Sequence, residues 1–171
     1  MLVMSYQEHQ RDAAGVAVAC AVVTLSDTRT PQTDSSGAAI QRLACEAGHR
    51  VVHYQIVPDE PAEFEKHLAD LIARTDVEAI LTTGGTGISR RDQTIDVMAR
   101  RIETPLPGFG ELFRMLSWEQ IGSGAMLSRA VAGICRGKLL FAMPGSTKAV
   151  ELAMTKLILP ELSHLVRELR K

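Results

Sequence analysis

The run Ala79-Ile80-Leu81-Thr82-Thr83 is apolar and β-branched, and it stops on Gly84-Gly85-Thr86-Gly87. A strand that breaks on three glycines within four positions leaves the chain few options. The backbone turns through positive φ, and its N–H groups are bared without Cβ obstruction. A concavity of that kind at a strand exit takes an anion, most often a phosphate. Two familiar phosphate loops are excluded by spelling. Position 89 is Ser89, so G-x-x-x-x-G-K-[ST] is absent, and no G-x-G-x-x-G opens the next helix.

The flanking pattern says what carries this loop. Val16 to Leu25 is continuously apolar and valine-rich, as expected of a strand buried on both faces. After the polar stretch Ser26 to Asp34, Asp34 is suited to N-cap a helix over Ser35 to Ala47, with Ile40, Leu43, Ala44 and Ala47 on one face and Gly48 at its end. A second strand over Val51 to Val57 is broken by Pro58-Asp59-Glu60-Pro61, which starts a helix striped by Phe64, Leu68, Leu71 and Ile72. Glu78 to Thr83 is the third strand. Three β–α alternations with short links predict an α/β fold with a parallel, doubly wound sheet. Asp92 to Gly137 reads as mostly helical, with one helix near Phe109 to Glu119 burying Phe109, Leu112, Phe113 and Leu116. Lys138 to Met143 is a further strand, and a last helix runs from Thr147 toward Arg170, kinked or divided at Pro160. No internal repeat or linker divides the chain. Residues 16–171 read as a single domain behind a polar N-terminal extension over 1–15.

Composition removes several function classes. A formal net charge of −1 gives no sequence-wide attraction to nucleic acid or anionic membrane, and the few aromatic residues are not interleaved with basic ones. Cys20, Cys45 and Cys135 are odd in number, far apart and set among apolar neighbours, which predicts free, buried thiols in a reducing cytosol. The first residues are too polar for a signal peptide, and the longest apolar run is too short to span a bilayer, so a cytoplasmic location is expected. The histidines His9, His49, His53, His67 and His164 are scattered without metal-ligand spacing.

In an open α/β sheet, ligands sit where strands end and helices begin. Four polar junctions are of that kind: Ser26-Asp27-Thr28, Pro58-Asp59-Glu60, Gly84 to Asp92, and Pro144-Gly145-Ser146. Parallel neighbouring strands would gather all four on one edge. Each alone is also an ordinary turn, and Pro-Gly-Ser is common helix-start punctuation. Asp92, with Asp59, looks self-defeating beside a phosphate unless a cation lies between them. Mg²⁺ resolves the conflict with one or two carboxylates, waters and the substrate's own phosphate oxygens, and Arg90 and Arg91 could neutralise further charge. The alternative for Asp92 is a plain helix cap ahead of Ile95, Val97, Met98 and Ile102. For Asp59 it is a proline-flanked turn.

Taken in order, Ser26-Asp27-Thr28, Gly84-Gly85-Thr86-Gly87-x-x-x-Arg91-Asp92-x-Thr94-x-Asp96, Pro107-Gly108-Phe109-Gly110-Glu111-Leu112-Phe113-Arg114, Leu127-Ser128-Arg129-Ala130 and Met143-Pro144-Gly145-Ser146 resemble the molybdopterin-binding family of MoaB, Mog and the gephyrin G domain. The likeness spans roughly residues 16 to 165 and is strongest to the short bacterial MoaB branch. It implies a three-layer α/β sandwich around a mostly parallel sheet, assembled as a homotrimer or homohexamer. It also implies molybdenum cofactor biosynthesis, with Mg²⁺ as cofactor and ATP and molybdopterin as substrates. The pterin's terminal phosphate would attack the α-phosphorus of ATP, giving adenylyl-molybdopterin and pyrophosphate, and the product would pass to other molybdenum cofactor enzymes.

Carried onto this chain, the resemblance makes Asp59 and Asp92 the catalytic, metal-placing carboxylates. Gly84, Gly85, Thr86, Gly87, Arg91, Thr94, Gly145 and Ser146 become substrate contacts, and Ser26 and Asp27 nucleotide contacts. An ionised phosphate nucleophile needs no general base, so the two aspartates place metal rather than abstract a proton. Retention of Asp59, Arg91 and Asp92 favours an active nucleotidyltransferase. Ser146-Thr147-Lys148 departs from the proline-containing loop often found in the adenylylating branch. The alternative is a non-catalytic molybdopterin carrier or scaffold.

Overall fold

A computed structural model of the 171-residue chain describes residues 15–89 and 92–171. Most of the predicted N-terminal extension, and Arg90 and Arg91 with the roles given to them, lie outside the described residues. Six strands form one sheet: β1 (Ala19–Leu25), β2 (Arg50–Val57), β3 (Ala79–Thr83), β4 (Thr104–Pro105), β5 (Val131–Cys135) and β6 (Lys138–Met143), in the order β2-β1-β3-β6-β5-β4. The pairs β1–β2, β1–β3 and β3–β6 are parallel, while β5 runs antiparallel to both β6 and β4. The sheet is therefore mixed, as the three-layer expectation allowed.

Both faces of the central strands are covered, which is why their sequences run apolar without alternation. Along β1, Cys20 and Val22 enter one hydrophobic cluster and Ala21, Val23 and Leu25 the other. Successive side chains of β6 divide in the same way, Leu139, Phe141 and Met143 against Leu140 and Ala142. The first cluster is closed by helices α1 (Ser35–Glu46), α4 (Pro107–Ile121), α5 (Thr147–Ala153) and α6 (Leu159–Leu169). The second is closed by α2 (Pro61–Ala73) and α3 (Thr94–Arg101). The stripe Phe64, Leu68, Leu71 and Ile72 is buried as its spacing predicts. Strand β2 lies at the sheet edge and is only partly covered, which accounts for its weaker pattern.

Asp34 caps α1 by accepting from the Gly37 N–H at 2.9 Å, and Gly48 follows the helix at φ +84. The last helix is divided as expected. The break is a π-helical turn over Met154–Ile158, one residue before α6 begins, so it precedes Pro160 rather than sitting on it. A proline ring crowds the carbonyl four residues back, here Lys156, and the wider turn accommodates it.

Four expectations fail. The stretch after Asp92 also holds β4 and β5, and β5 turns into β6 through Arg136 and Gly137, both at positive φ, a two-residue hairpin. Leu112 is 46% exposed and turned away from the core that buries Phe109 and Phe113. Ala47 is exposed beyond the end of α1. Among the thiols, Cys20 and Cys135 are buried and all three are free, but Cys45 is exposed on α1. Burial, with the field of Glu78 second, pushes the Cys20 thiol up to about 12.

Candidate functional site

Register brings the four junctions level. Leu25 pairs with Val57, Thr24 with Thr83, and Thr83 with Met143, so β1, β2, β3 and β6 end along one line. The connections leave β1 toward β2 and return past it to β3, which puts the reversal of strand order between β1 and β3. That crevice is where open α/β sheets bind ligands.

The glycine loop is built by close approach. Gly84 adopts φ +98, its N–H donates to the Met143 carbonyl at 3.2 Å, and any Cβ there would run into the Leu25 carbonyl. A Cβ on Gly145 would stand 3.3 Å from Gly84 Cα, so the β3 and β6 exits touch backbone to backbone. Thr83 Oγ1 reinforces the contact by donating to the Pro144 carbonyl at 3.0 Å. Gly85 adopts φ +58, and a Cβ there would overlap Thr94 Oγ1 and lie 2.5 Å from Asp59 Oδ1. The Gly85 carbonyl accepts from the Thr94 N–H at 3.1 Å, and both Thr86 and Thr94 are buried.

Asp92 flanks the far end of the same loop, where a Cβ on Gly87 would lie 2.7 Å from Asp92 Oδ2. The two aspartates thus border one loop, Asp59 at Gly85 and Asp92 at Gly87. Asp92 does not cap α3. Gln93 holds that position without capping the helix through its side chain, and Asp92 Oδ2 instead accepts from the Ser89 N–H at 2.9 Å. Hydrogen bonding by the Ser89 side chain, and by the backbone N–H groups of Ser89 and Gly87, outweighs desolvation and holds the Asp92 carboxyl below its ordinary range. It is an ionised, preoriented acceptor.

The remaining predicted residues sit at the same edge in different roles. Asp27 Oδ1 accepts from the Asp59 N–H at 3.0 Å. Ser26 Oγ accepts from the N–H groups of Thr28 and Arg29 at 3.2 and 3.1 Å, shaping its own turn. Ser146 caps α5 by accepting from the Ala149 N–H at 3.2 Å, while Gly145 meets the loop through its backbone. Two cavities open at the neighbouring junctions, neither of them lined by residues 84–87. One of about 580 Å³ is lined by Ser26, Asp27, Arg29, Tyr54 and Pro58. The other, about 780 Å³, is lined by Ser128, Ser146, Lys148 and Lys156 among others.

Two arginines to which the sequence reading gave no role also hold this edge together. Arg29 donates to Asp34 Oδ1 at 2.9 Å, to Ser36 Oγ, and to the Gly145 carbonyl at 3.0 Å, joining the β1 and β6 exits. Asp34 also accepts from Thr24 Oγ1 at 2.5 Å and from Tyr54 Oη at 2.8 Å. Burial alone would raise that carboxyl, but the bonds from Thr24, Gly37, Tyr54 and Arg29 outweigh it and leave it lowered. Arg129 donates to the carbonyls of Gly87 and Asp92 at 3.1 and 3.3 Å and to the Asp96 carboxylate at 3.3 Å. No motif spacing announces the contacts with Gly145, Gly87 and Asp92, because those acceptors are main-chain carbonyls far along the chain. The histidines are also less scattered than they look, since His53 Nε2 and His67 Nε2 lie 3.2 Å apart. Among the described residues no group of three or more His, Cys, Asp or Glu gathers as a metal cage, and no helix is long and apolar enough to cross a membrane.

Comparison with known proteins gives a consistent result. Residues 21–164 match the family described as "Probable molybdopterin binding domain". The molybdenum cofactor biosynthesis protein B of Halalkalibacterium halodurans is 49% identical over 169 residues, 98% of this chain and 99% of that protein. Its Bacillus subtilis counterpart is 48% identical over the same span and coverage. A crystal structure of molybdenum cofactor biosynthesis protein B superposes with a TM-score of 0.90 at 49% identity, covering 92% of this chain and 98% of that one. The tungsten cofactor synthesizing protein MoaB from Pyrococcus furiosus follows the same fold, with a TM-score of 0.82 at 34% identity and coverage of 91% and 99%.

Proposed function

This chain belongs to the molybdopterin-binding domain family, and from that premise we propose that it serves molybdenum cofactor biosynthesis as an ATP-dependent nucleotidyltransferase. An oxygen of molybdopterin's terminal phosphate would form a bond to the α-phosphorus of ATP. The bond from that phosphorus to the β-phosphate bridging oxygen would break, and pyrophosphate would leave with the electron pair. The observation that carries this reading is the placement of Asp59 and Asp92 at Gly85 and Gly87 of one anion-binding loop.

The donor set suits Mg²⁺. Two hard carboxylate oxygens beside a phosphate loop, with no larger protein cage among the described residues, match an ion that keeps waters and substrate oxygens in its shell. Asp59 and Asp92 would hold it, and when bound it supplies charge neutralisation between reacting phosphates. The protein's own part is positioning and electrostatics, the larger share of catalysis in such transfers. The backbone N–H groups of Gly85 and Thr86 receive phosphate, since that of Gly84 is held by the Met143 carbonyl and that of Gly87 by the Asp92 carboxylate, and Arg91 is assigned to neutralising it. The cavity beside Asp27, Arg29 and Tyr54 takes the nucleoside, and the pterin lies from the glycine loop toward Gly145 and Ser146. The exposed apolar side chains Met115, Trp118, Ile121, Met126 and Leu127, with Leu112, form the contact surface of a homotrimer or homohexamer.

Incubation with molybdopterin, ATP and Mg²⁺ tests this directly. Pyrophosphate should be released, and Asp92→Ala should lower the rate at least ~100-fold while pterin affinity changes little. Pterin binding with no calorimetric affinity for Mg·ATP would instead identify a carrier, and a fully active Asp92→Ala would remove the role given to that carboxylate.

A further inference from the structure

Arg129 stands two residues before β5, and β5 is antiparallel to β6 with Val131 paired to Ala142. That reversed direction delivers the start of β5, rather than its end, to the edge where β3 and β6 finish. The guanidinium is spent on three acceptors there. One nitrogen, Nη1, reaches the carbonyls of Gly87 at 3.1 Å and Asp92 at 3.3 Å, and Nη2 reaches the Asp96 carboxylate at 3.3 and 3.4 Å. The first two acceptors lie at the two ends of segment 87–92. The third lies in the first turn of α3.

We propose that Arg129 is a positioning residue for Asp92, acting through the main chain of the loop rather than on substrate. Asp96 is more than half exposed and its pairing with Arg129 is long, so the ion pair by itself adds little. The two carbonyl bonds tie residue 87, whose N–H helps hold the Asp92 carboxylate, to residue 92 itself. A planar fork of donors can serve acceptors in several directions at once, whereas a lysine ammonium cannot span them in the same fixed arrangement. Asp96 sets the plane of that fork. Loss of the tie leaves Asp92 in place in the chain but free to turn its carboxylate away from the loop.

The assignment rests on Asp92 serving the metal–nucleotide site, and the experiment separates the two. Binding of Mn²⁺ with α,β-methylene-ATP is measured by calorimetry for wild type, R129K, R129Q and D96N, beside the Mg²⁺ dependence of pyrophosphate release. R129K and R129Q should weaken metal-dependent nucleotide binding and raise the Mg²⁺ needed for half-maximal rate about tenfold or more. Their molybdopterin affinity should stay within about twofold. D96N should move the same quantities in the same direction by less, and its exposed position keeps it informative if the arginine variants do not fold. Arginine variants with wild-type metal dependence, whatever their melting temperature, overturn the proposal, as does a wild-type D96N where neither arginine variant folds. Absence of metal-dependent nucleotide binding in the wild type defeats the nucleotidyltransferase reading first, and this assignment with it.

Discussion

The backbone N–H of Asp59 donates to Asp27 Oδ1 at 3.0 Å, so the turn after β1 fixes the angle at which the turn after β2 presents its carboxylate. A residue assigned to nucleotide contact therefore also holds a residue assigned to the metal. Asp27→Ala should lower kcat/KM for ATP by about tenfold, in line with the loss of one charge-assisted hydrogen bond. Asp27→Asn keeps an acceptor oxygen and should lie between the two. Steady-state pyrophosphate release against ATP concentration reads the difference.

Gly85→Ala should damage the site more than the fold. Its methyl group would displace Thr94 Oγ1 and the Asp59 carboxylate, and the positive φ adds about 1 kcal/mol of strain. Gly137→Ala provides the control, since Gly137 also has positive φ, +72, but open space around its missing Cβ. Gly137→Ala should lose only the strain term in urea and keep its binding, whereas Gly85→Ala should lose more stability, because Thr94 is buried, and should also lose nucleotide or pterin binding by calorimetry.

Asp34 makes the fold acid-sensitive. Its native carboxyl lies below the ordinary value of 3.8, because the bonds from Thr24, Gly37, Tyr54 and Arg29 outweigh burial. The unfolded chain therefore binds that proton more readily, and the stabilisation is fully present above the ordinary value and lost as pH falls through the native one. Asp34→Asn should cost about 3 kcal/mol at neutral pH, since it leaves the Arg29 guanidinium without its carboxylate and turns an amide NH₂ toward the Thr24 and Tyr54 hydroxyls. Urea unfolding of both proteins at pH 7 and pH 3 should show the gap narrowing at the lower pH.

Trp118 is 63% exposed on α4 and is the single tryptophan of the chain. If the apolar surface around it joins subunits, wild-type protein should sediment as a trimer or hexamer with blue-shifted fluorescence. Trp118→Glu should then sediment as a smaller species. A wild-type monomer with solvent-like emission would exclude that surface as the contact.

The glycine loop and its aspartates were legible because their signals are local. Three glycines after a β-branched run mark a turn whose backbone must approach something closely; Asp59 falls just after β2, and Asp92 follows closely on the glycine loop itself. Strand β5 was hidden because it is short and carries Gly133, whose missing side chain lets the Thr104 carbonyl approach to 2.8 Å of where a Cβ would stand. The Arg136-Gly137 turn was its only advertisement. Arg129 stood in a motif, but its contact with the loop depended on β5 and was hidden with it. Arg29 was hidden for a different reason, since its partner Gly145 lies 116 residues away and offers only a main-chain oxygen. Leu112 shows the limit of periodicity, because a helix apolar on more than half its circumference does not say which side is covered.

The bond from Arg29 to the Gly145 carbonyl spans the groove from the β1 wall to the β6 wall, across the exit of β3. A charge-assisted bond between two walls already joined through β3 opposes their swinging apart like a jaw. Substrates must then enter a mould cast beforehand, and a wrong ligand is turned away by its outline rather than by a closing movement that fails to complete.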